Sequence, residues 1–251
     1  MPAPSLPDPA RGVFETLLVA GAAPVELDAH LARLHASLDV LYGAPLPAEA
    51  ERLVVEHASG LDLGRLRLTA IPTPQGPPRI EIATAAIDPA IVCPPWERGI
   101  ELRTRSVAGW NGGHKWVDRQ LLESLEAELS PATPLLADED GALLETTRAN
   151  LFVVDPDGVV ATPPTDGRIL PGVARMRAIE AARAAGMDVV EKVIGRDDVA
   201  LAREAFLTGS IRCVEPIRSF DGAPVGEASR PSTETIAAKL SRLWLDDRQP
   251  R

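Results

Sequence analysis

Lysine is scarce in this chain, and the position of one lysine makes its amine a candidate for covalent chemistry. Of the 26 basic residues only three are lysines: Lys115, Lys192 and Lys239. A lysine amine can attack a carbonyl group and form a Schiff base with it. Lys115 follows the pair Gly112-Gly113, where the backbone can approach a ligand closely, and precedes a predicted helix. A solvated surface lysine is the ordinary alternative for all three.

Several familiar chemical motifs are absent from the sequence. It contains no phosphate-binding G-x-x-x-x-G-K-[ST] or G-x-G-x-x-G segment and no G-x-S-x-G elbow. Its histidines lack metal-ligand spacing, so no metal site is predicted. His30 and His35 fall on one predicted helix, where we expect surface or half-buried roles. Cys213 lies in a predicted strand and is expected to be a small core residue.

Composition and charge exclude several classes of protein. The 251 residues include 26 basic and 36 acidic side chains, giving a net charge of −10, and 45% of the residues are hydrophobic. These values are typical of a globular chain of one large or two small domains. The acidic balance argues against nucleic-acid binding. The sequence shows neither a signal peptide nor a long apolar run, so it predicts a cytoplasmic protein without a membrane partner.

Hydrophobic periodicity predicts the elements that must position such groups. Alternation over 12–20 predicts a strand, and leucines at helical spacing predict a helix that Asp28 would cap. Further helices are expected at 47–59, 117–129, 172–185, 196–202 and 232–243, and further strands at 65–71, 79–85, 100–106, 187–194, 205–208 and 212–217. The pattern predicts a mixed α/β chain with domains at 1–107 and 114–251, joined by a linker at 108–113.

Five segments, in order and spacing, resemble the class IV aminotransferase family, the fold-type IV enzymes that use pyridoxal 5′-phosphate (PLP). They are His30–Leu34, Gly113–Arg119, Glu145–Phe152, Thr162–Arg175 and Glu204–Ser210. The resemblance covers roughly residues 11–217. It implies a two-domain fold like that of D-amino-acid aminotransferases, a small-molecule substrate and a homodimer.

The resemblance also implies roles for individual residues. Lys115 is implied as the Schiff-base amine, and Glu145 as the carboxylate at the pyridine nitrogen of PLP. Arg33 is implied as a phosphate ligand. The helix start at Val173 and Ala174 and the hydroxyl of Ser210 would complete the phosphate site, whereas Asn150 is expected to support the Glu145 loop.

Within the family, three features lean towards aminodeoxychorismate lyases. These are Arg119 four residues after Lys115, Thr16 in the segment Phe14-Glu15-Thr16, and the segment Ser210–Ile217. The implied reaction converts 4-amino-4-deoxychorismate to 4-aminobenzoate and pyruvate. Lys115 would move the proton, and Thr16 could assist protonation. Arg119 and Arg212 are possible partners of substrate carboxylates or, equally, members of structural ion pairs.

Two alternatives remain open. A transaminase acting on amino acids or amines would use the same cofactor residues, and a family relative could keep the fold as a binding protein. The arginine-bearing loop of many lyases is replaced by Pro72–Pro78, and Leu18 stands where many members carry an arginine. Retention of Lys115 and Glu145 favours an enzyme.

Overall fold

The computed structural model describes residues 7–94, 99–226 and 229–246 and divides the chain into two compact units. We call them the N-terminal unit (residues 7–92, 114–119 and 241–246) and the C-terminal unit (residues 93–113 and 120–240). Residues 1–6, part of the segment from which a signal peptide was excluded, lie outside the described ranges. Within these ranges, no helix combines the length and apolar character needed to cross a membrane.

Strands and helices alternate irregularly along the chain, which confirms the predicted mixed α/β class. The helices are α1 (Leu27–Tyr42), α2 (Ala50–Ala58), α3 (Gln120–Leu129), α4 (Val173–Ala184), α5 (Arg196–Ala200) and α6 (Pro231–Ser241). The strands are β1 (Val13–Ala20), β2 (Ala23–Pro24), β3 (Leu63–Ile71), β4 (Arg79–Ala86), β5 (Ile100–Ser106), β6 (Thr133–Ala137), β7 (Leu143–Thr146), β8 (Asn150–Val154), β9 (Val160–Thr162), β10 (Val189–Glu191), β11 (Glu204–Gly209), β12 (Cys213–Phe220) and β13 (Ala223–Pro224).

The N-terminal unit is built on an antiparallel sheet with the order β2-β1-β3-β4. Side chains alternate along β1, so Val13, Leu17 and Val19 face a core shared with α1 and α2. Phe14 and Thr16 point to the other face, where they stand opposite Thr69 and Arg67 of β3. The sheet therefore carries its hydrophobic core on one face and leaves the other face for polar and aromatic groups.

Helix α1 begins two residues earlier than the sequence suggests. Asp28 was predicted as the cap, but the cap residue is Glu26, in the left-handed conformation at φ 55° with no side-chain capping bond. Asp28 lies inside the first turn, where its charge still suits the helix dipole. The predicted apolar face is confirmed, because Leu34 and Leu38 are buried and Leu31 and Leu41 pack against the same core.

The C-terminal unit contains a nine-stranded sheet whose central strands close on themselves. Strands β8, β11, β12, β5, β6 and β7 pair in that order, and β7 also pairs with β8. The ring encloses a cluster that includes Leu102, Leu135 and Leu151, while Leu136 and Leu144 pack outwards with α3. Cys213 is fully buried, as expected for a small core residue. This ring holds β7, β8 and β11 in fixed register.

The unit boundaries differ from those that the sequence pattern suggests. Strand β5, assigned above to the N-terminal domain, pairs with β6 and β12 of the C-terminal unit. The glycine-rich segment 108–113 is tied to that unit by the bond from Gly113 N to Gly167 O (2.9 Å). Pairing between strands distant in sequence decides both assignments, and composition carries no signal for it.

Candidate active site

Lys115 lies on a short extended segment that is hydrogen bonded to the edge of β1. Phe14 N donates to Lys115 O (2.8 Å), and Val117 N donates to Gly12 O (3.0 Å). The neighbouring Trp116 forms a bridge with Val13 and is buried in the core of the N-terminal unit. Backbone pairing and the buried indole therefore fix the position of the Lys115 backbone.

The Phe14 ring lies against two cationic side chains. Lys115 Nζ is 4.8 Å from the ring centroid, and the guanidinium carbon of Arg67 is 3.7 Å from it. Both distances are within the range of cation–π attraction. Thr16, half-buried, lies on the same face of β1 and directly opposite Arg67 in the register. An amine, a guanidinium and a hydroxyl thus share one face of the sheet.

A cavity of about 580 Å³ opens on this face of the N-terminal unit. Arg67, Thr69 and Glu81 supply its polar lining, and Val117, two residues after Lys115, contributes apolar surface. This volume is sufficient for a small ligand. The sequence patterns singled out neither Arg67 nor this cavity, because a charged residue on an alternating strand is ordinarily a solvated one.

Arg33 is held by a buried carboxylate on β1. Its Nε donates to Glu15 Oε1 (2.8 Å) and its Nη2 donates to Glu15 Oε2 (2.6 Å). Burial raises the pKa of Glu15, but the charge of Arg33 and the hydrogen bonds from His30 and Arg33 outweigh it and lower the pKa to about 2. Glu15 is therefore ionised at neutral pH. The guanidinium is oriented by a bidentate contact, the geometry that arginine and carboxylate favour.

His30 completes this group, contrary to its predicted surface or half-buried role. Its side chain is 1% exposed, and its Nδ1 lies 2.7 Å from Glu15 Oε2. Burial lowers the pKa of His30, opposed by Glu15 and assisted by the charges of Arg33 and Lys115. A neutral imidazole then donates from Nδ1 to Glu15. The H-x-x-R spacing could have indicated this group, since residues three apart lie on one side of a helix.

In the C-terminal unit, Glu145 is buried at the end of a strand pair and oriented by hydrogen bonds. Its Oε1 accepts from Leu170 N (3.1 Å), and its Oε2 accepts from Asn150 Nδ2 (3.0 Å). Asn150 Nδ2 also donates to Leu170 O (2.9 Å). Asn150 thus has the supporting position expected from the sequence. The arrangement presents a fixed carboxylate.

The start of α4 suits an anionic group. The helix begins at Val173 after Gly172, and no side chain caps it, so its first N–H groups and its dipole favour a phosphate. A side chain at Gly172 would place a Cβ 2.0 Å from Asn150 Oδ1, so any larger residue there would displace Asn150. Thr208, across from Asn150 in the β8–β11 register, has a buried Oγ1 without a hydrogen-bond partner among the described residues.

The remaining predicted residues have varied surroundings. Ala174 follows Val173 in the first turn of α4 and is buried, and Ser210 follows β11 and is half-buried. Arg119 is half-buried in the N-terminal unit. Arg212 is exposed and pairs with Glu215 (2.6 Å). Gly112 and Gly113 accommodate a neighbouring loop rather than a ligand, because a Cβ at Gly112 would lie 2.3 Å from Arg168 O.

Each unit offers groups of the kinds that PLP chemistry needs. The N-terminal unit has an amine on a fixed backbone, and the C-terminal unit has an oriented carboxylate and an uncapped helix start. The class IV amino-transferase family model matches residues 12–220 of the chain. The chain belongs to this family, which confirms the family identified from the five segments.

Individual relatives agree with this assignment. The branched-chain-amino-acid aminotransferase of Salmonella typhimurium is 41% identical over 115 residues, which cover 45% of this chain and 37% of that protein. The chain thus matches little more than a third of that relative's length.

Two solved structures share the fold over nearly the whole chain. The PLP-bound form of a hypothetical aminotransferase from Mycobacterium tuberculosis has a TM-score of 0.81, with 21% identity and coverage of 99% of this chain and 95% of that one. A candidate 4-amino-4-deoxychorismate lyase of Legionella pneumophila has a TM-score of 0.79, with 21% identity and coverage of 97% and 96%. The predicted fold-type IV architecture is therefore confirmed.

Proposed function

We propose that this protein is a PLP-dependent enzyme that cleaves 4-amino-4-deoxychorismate to 4-aminobenzoate and pyruvate. The observation that carries the proposal is the shared face of β1. There the Phe14 ring contacts Lys115 Nζ, and the hydroxyl-bearing Thr16 stands opposite Arg67. A lyase of this kind needs an amine that moves a proton, a hydroxyl that assists protonation and a cation for a carboxylate-bearing substrate.

The contacts described above in each unit support the proposed roles of the cofactor residues. PLP, when bound, withdraws electrons from the substrate carbon next to the reacting amine. Lys115 Nζ would hold the cofactor covalently and, once released by the substrate amine, would take the proton from that carbon. Glu145 would keep a proton on the pyridine nitrogen. Arg33, the N–H groups of Val173 and Ala174, and Ser210 would bind the phosphate.

The substrate side depends on cations near Lys115. Arg67 supports this role because it lines the cavity and lies against the same ring as Lys115. It would serve where the arginine-bearing loop of many lyases is replaced by Pro72–Pro78. Arg119 would be a second partner for a carboxylate of the substrate. Arg212 would have to leave Glu215 before it could bind substrate.

A class IV aminotransferase is the second candidate, and a specific observation favours it. Over 115 residues the chain is 41% identical to a branched-chain-amino-acid aminotransferase. Such an enzyme would use Lys115 and Glu145 in the same way. It would differ by passing an amino group to the cofactor, so an amino donor alone would change the visible absorbance. A binding protein on the same fold is the third candidate, and it would take up no PLP.

The first experiment is the visible spectrum of the purified protein with PLP, followed by borohydride reduction and peptide mapping. We expect a yellow protein labelled at Lys115. Release of 4-aminobenzoate from 4-amino-4-deoxychorismate would then support the lyase, and bleaching by an amino donor would support the transaminase. A colourless, unlabelled protein would contradict both enzyme proposals.

Lys115→Ala should abolish the covalent link and turnover while leaving the fold intact. The Lys115 backbone makes the strand contacts, and alanine retains them. Lys239→Ala, in α6, is the matched control and should keep the label at Lys115. Far-UV circular dichroism would establish folding of both variants. Turnover by the Lys115→Ala variant would refute the mechanism.

We also propose that the enzyme acts as a homodimer, as its family resemblance implies. Sedimentation equilibrium of the PLP-loaded protein would give twice the 26.7 kDa chain mass. A mass equal to that of one chain would overturn this part of the proposal.

A further inference from the structure

Glu15 is a buried carboxylate to which the proposed chemistry assigns no role. Its side chain is 1% exposed, yet it sits in the strand that also carries Phe14 and Thr16. An isolated ionised carboxylate in such a place is strongly unfavourable unless it is paired and hydrogen bonded. Arg33 and His30 supply that compensation, through three contacts of 2.6–2.8 Å.

The two contacts with Glu15 fix the orientation of the Arg33 guanidinium. Glu15 takes the Nε and one Nη2 hydrogen, so it occupies one edge of the planar guanidinium. The plane of the guanidinium is therefore set by the Glu15 carboxylate. A flexible arginine would lose rotamer freedom on binding an anion, whereas one already fixed loses little.

His30 fixes the carboxylate in turn. It lies three residues before Arg33 on α1, so both side chains reach the same Glu15 from one side of the helix. His30 Nδ1 contacts Oε2, the oxygen that also accepts from Arg33 Nη2. Both oxygens of the Glu15 carboxylate therefore make buried contacts, and the group cannot rotate without breaking one of them.

We propose that Glu15, held by His30, is a positioning residue that orients Arg33 for the phosphate of the cofactor. The inference rests on the proposed function, because it takes Arg33 as a phosphate ligand. It assigns Glu15 an effect on phosphate recognition that a merely structural residue would not have. Glu15 does not touch the cofactor; it acts through Arg33.

The test compares two ligands that differ by the phosphate alone. Equilibrium dissociation constants for PLP and for pyridoxal are measured by absorbance titration of the cofactor-free protein, in the wild type and in Glu15→Gln. We expect Glu15→Gln to weaken PLP binding roughly tenfold, the usual effect of losing a charge-assisted hydrogen bond. Pyridoxal binding should stay within about twofold, since it has no phosphate for Arg33 to contact.

A double-mutant cycle makes the assignment specific to Arg33. Arg33→Met should weaken PLP binding and leave pyridoxal binding nearly unchanged, and Glu15→Gln should add nothing further in that background. Glu56→Gln is the matched control. It makes the same substitution in another arginine–glutamate pair, that of Glu56 with Arg52 on the exposed side of α2. It should bind both ligands as the wild type does.

The outcomes separate the two proposals. If the wild type binds neither ligand at Lys115, the proposed function fails and this inference fails with it. If the wild type binds PLP but Glu15→Gln weakens PLP and pyridoxal equally, or weakens neither, Glu15 has no positioning role and the proposed function stands. Should Glu15→Gln not fold, Glu15→Asp keeps the charge but shortens the reach, and it should lose part of the preference for PLP over pyridoxal.

Discussion

Glu15 and Glu145 are both buried carboxylates, and their partners suit them to different tasks. Glu15 is met by a guanidinium and an imidazole, which hold its pKa near 2 and direct its charge to Arg33. Glu145 accepts from the amide of Asn150 and the backbone of Leu170. These donors orient the Glu145 carboxylate, as the role proposed for it at a ring nitrogen requires.

Glu145→Gln should therefore retain PLP and lose turnover. The amide has nearly the same shape but cannot stabilise a positive charge on the pyridine nitrogen. We expect kcat to fall by about a hundredfold or more, with the cofactor still linked to Lys115. Steady-state kinetics and the visible spectrum would measure the two effects. Glu139→Gln, at an exposed position, is the control, and full turnover in Glu145→Gln would contradict the role given to Glu145.

The buried His30 should make stability depend on pH. Its pKa is lowered in the folded protein, by burial first and then by Arg33 and Lys115. The unfolded chain therefore binds a proton at His30 before the folded one does, and stability falls as pH drops below about 6.5. Urea unfolding between pH 5 and pH 8 should show a shallower loss in His30→Gln than in the wild type.

His57→Gln provides the control for this comparison, because His57 is exposed on α2. It should keep the wild-type slope. Equal slopes in His30→Gln and in the wild type would show that the pKa of His30 is the same in the folded and unfolded states.

At the scale of elements, the H-x-x-R spacing is explained by the contact that both of its residues make with Glu15. One helical turn separates His30 from Arg33, and the helix packs on the face of β1 that carries Glu15. The sequence predicts both elements correctly from their periodicity. It does not predict their polar contact, because a glutamate among apolar strand residues is equally compatible with an exposed position.

In the C-terminal unit, too, the sequence does not predict contacts between strands that are distant along the chain. The apolar runs on either side of Asp140-Gly141 and Asp157-Gly158 form antiparallel hairpins, and Asp-Gly is a local sequence signal for such turns. The contact between β7 and β8 that closes the ring has no such local signal, and neither do the parallel partners of β5. The residues proposed to bind the cofactor were predicted from their motifs, whereas the surroundings of Glu15, Arg67 and Thr208 became visible only in three-dimensional contacts.

The start of α4 provides a test at this scale. In Gly172→Ala the new methyl group would collide with Asn150 Oδ1, although the backbone at φ −66° accepts alanine. Asn150 must then move, which disturbs its bonds to Glu145 and Leu170. We expect a loss of about 1–3 kcal/mol in stability and weaker PLP binding. Chemical denaturation and absorbance titration would measure both.

Gly60→Ala is the matched control, because a Cβ there meets nothing within 4 Å. Wild-type stability in Gly172→Ala would mean that the loop between β9 and α4 yields at little cost.

At the scale of the whole molecule, each unit is assembled from separate stretches of chain. The segment with Lys115 belongs to the N-terminal unit, although it follows strand β5 of the C-terminal unit. Composition places a boundary at the glycine-rich 108–113, where local flexibility is highest by sequence. The contacts instead follow strand pairing, which groups residues 93–113 with the later part of the chain.

Cofactor binding should raise the stability of the folded chain as a whole. A ligand present at a hundred times its Kd contributes about 2.7 kcal/mol, which for a chain of this size corresponds to a Tm increase of roughly 5–10 °C. Thermal unfolding with and without PLP would measure it. Lys115→Ala, lacking the covalent link, should show a smaller increase, and an equal increase would place the stabilising contacts elsewhere.

The outer strand of the N-terminal sheet bears on how the protein behaves in storage. Among the described strands, β4 pairs with β3 alone, so one row of its backbone groups is open to a further strand. Arg79 and Glu81, which form an ion pair, lie at the start of β4, and their charges disfavour pairing with the edge strand of another molecule. In the double variant Arg79→Val, Glu81→Val we expect insoluble fibrils that begin at this strand. The reactivity of Lys115 should be unchanged until the protein precipitates.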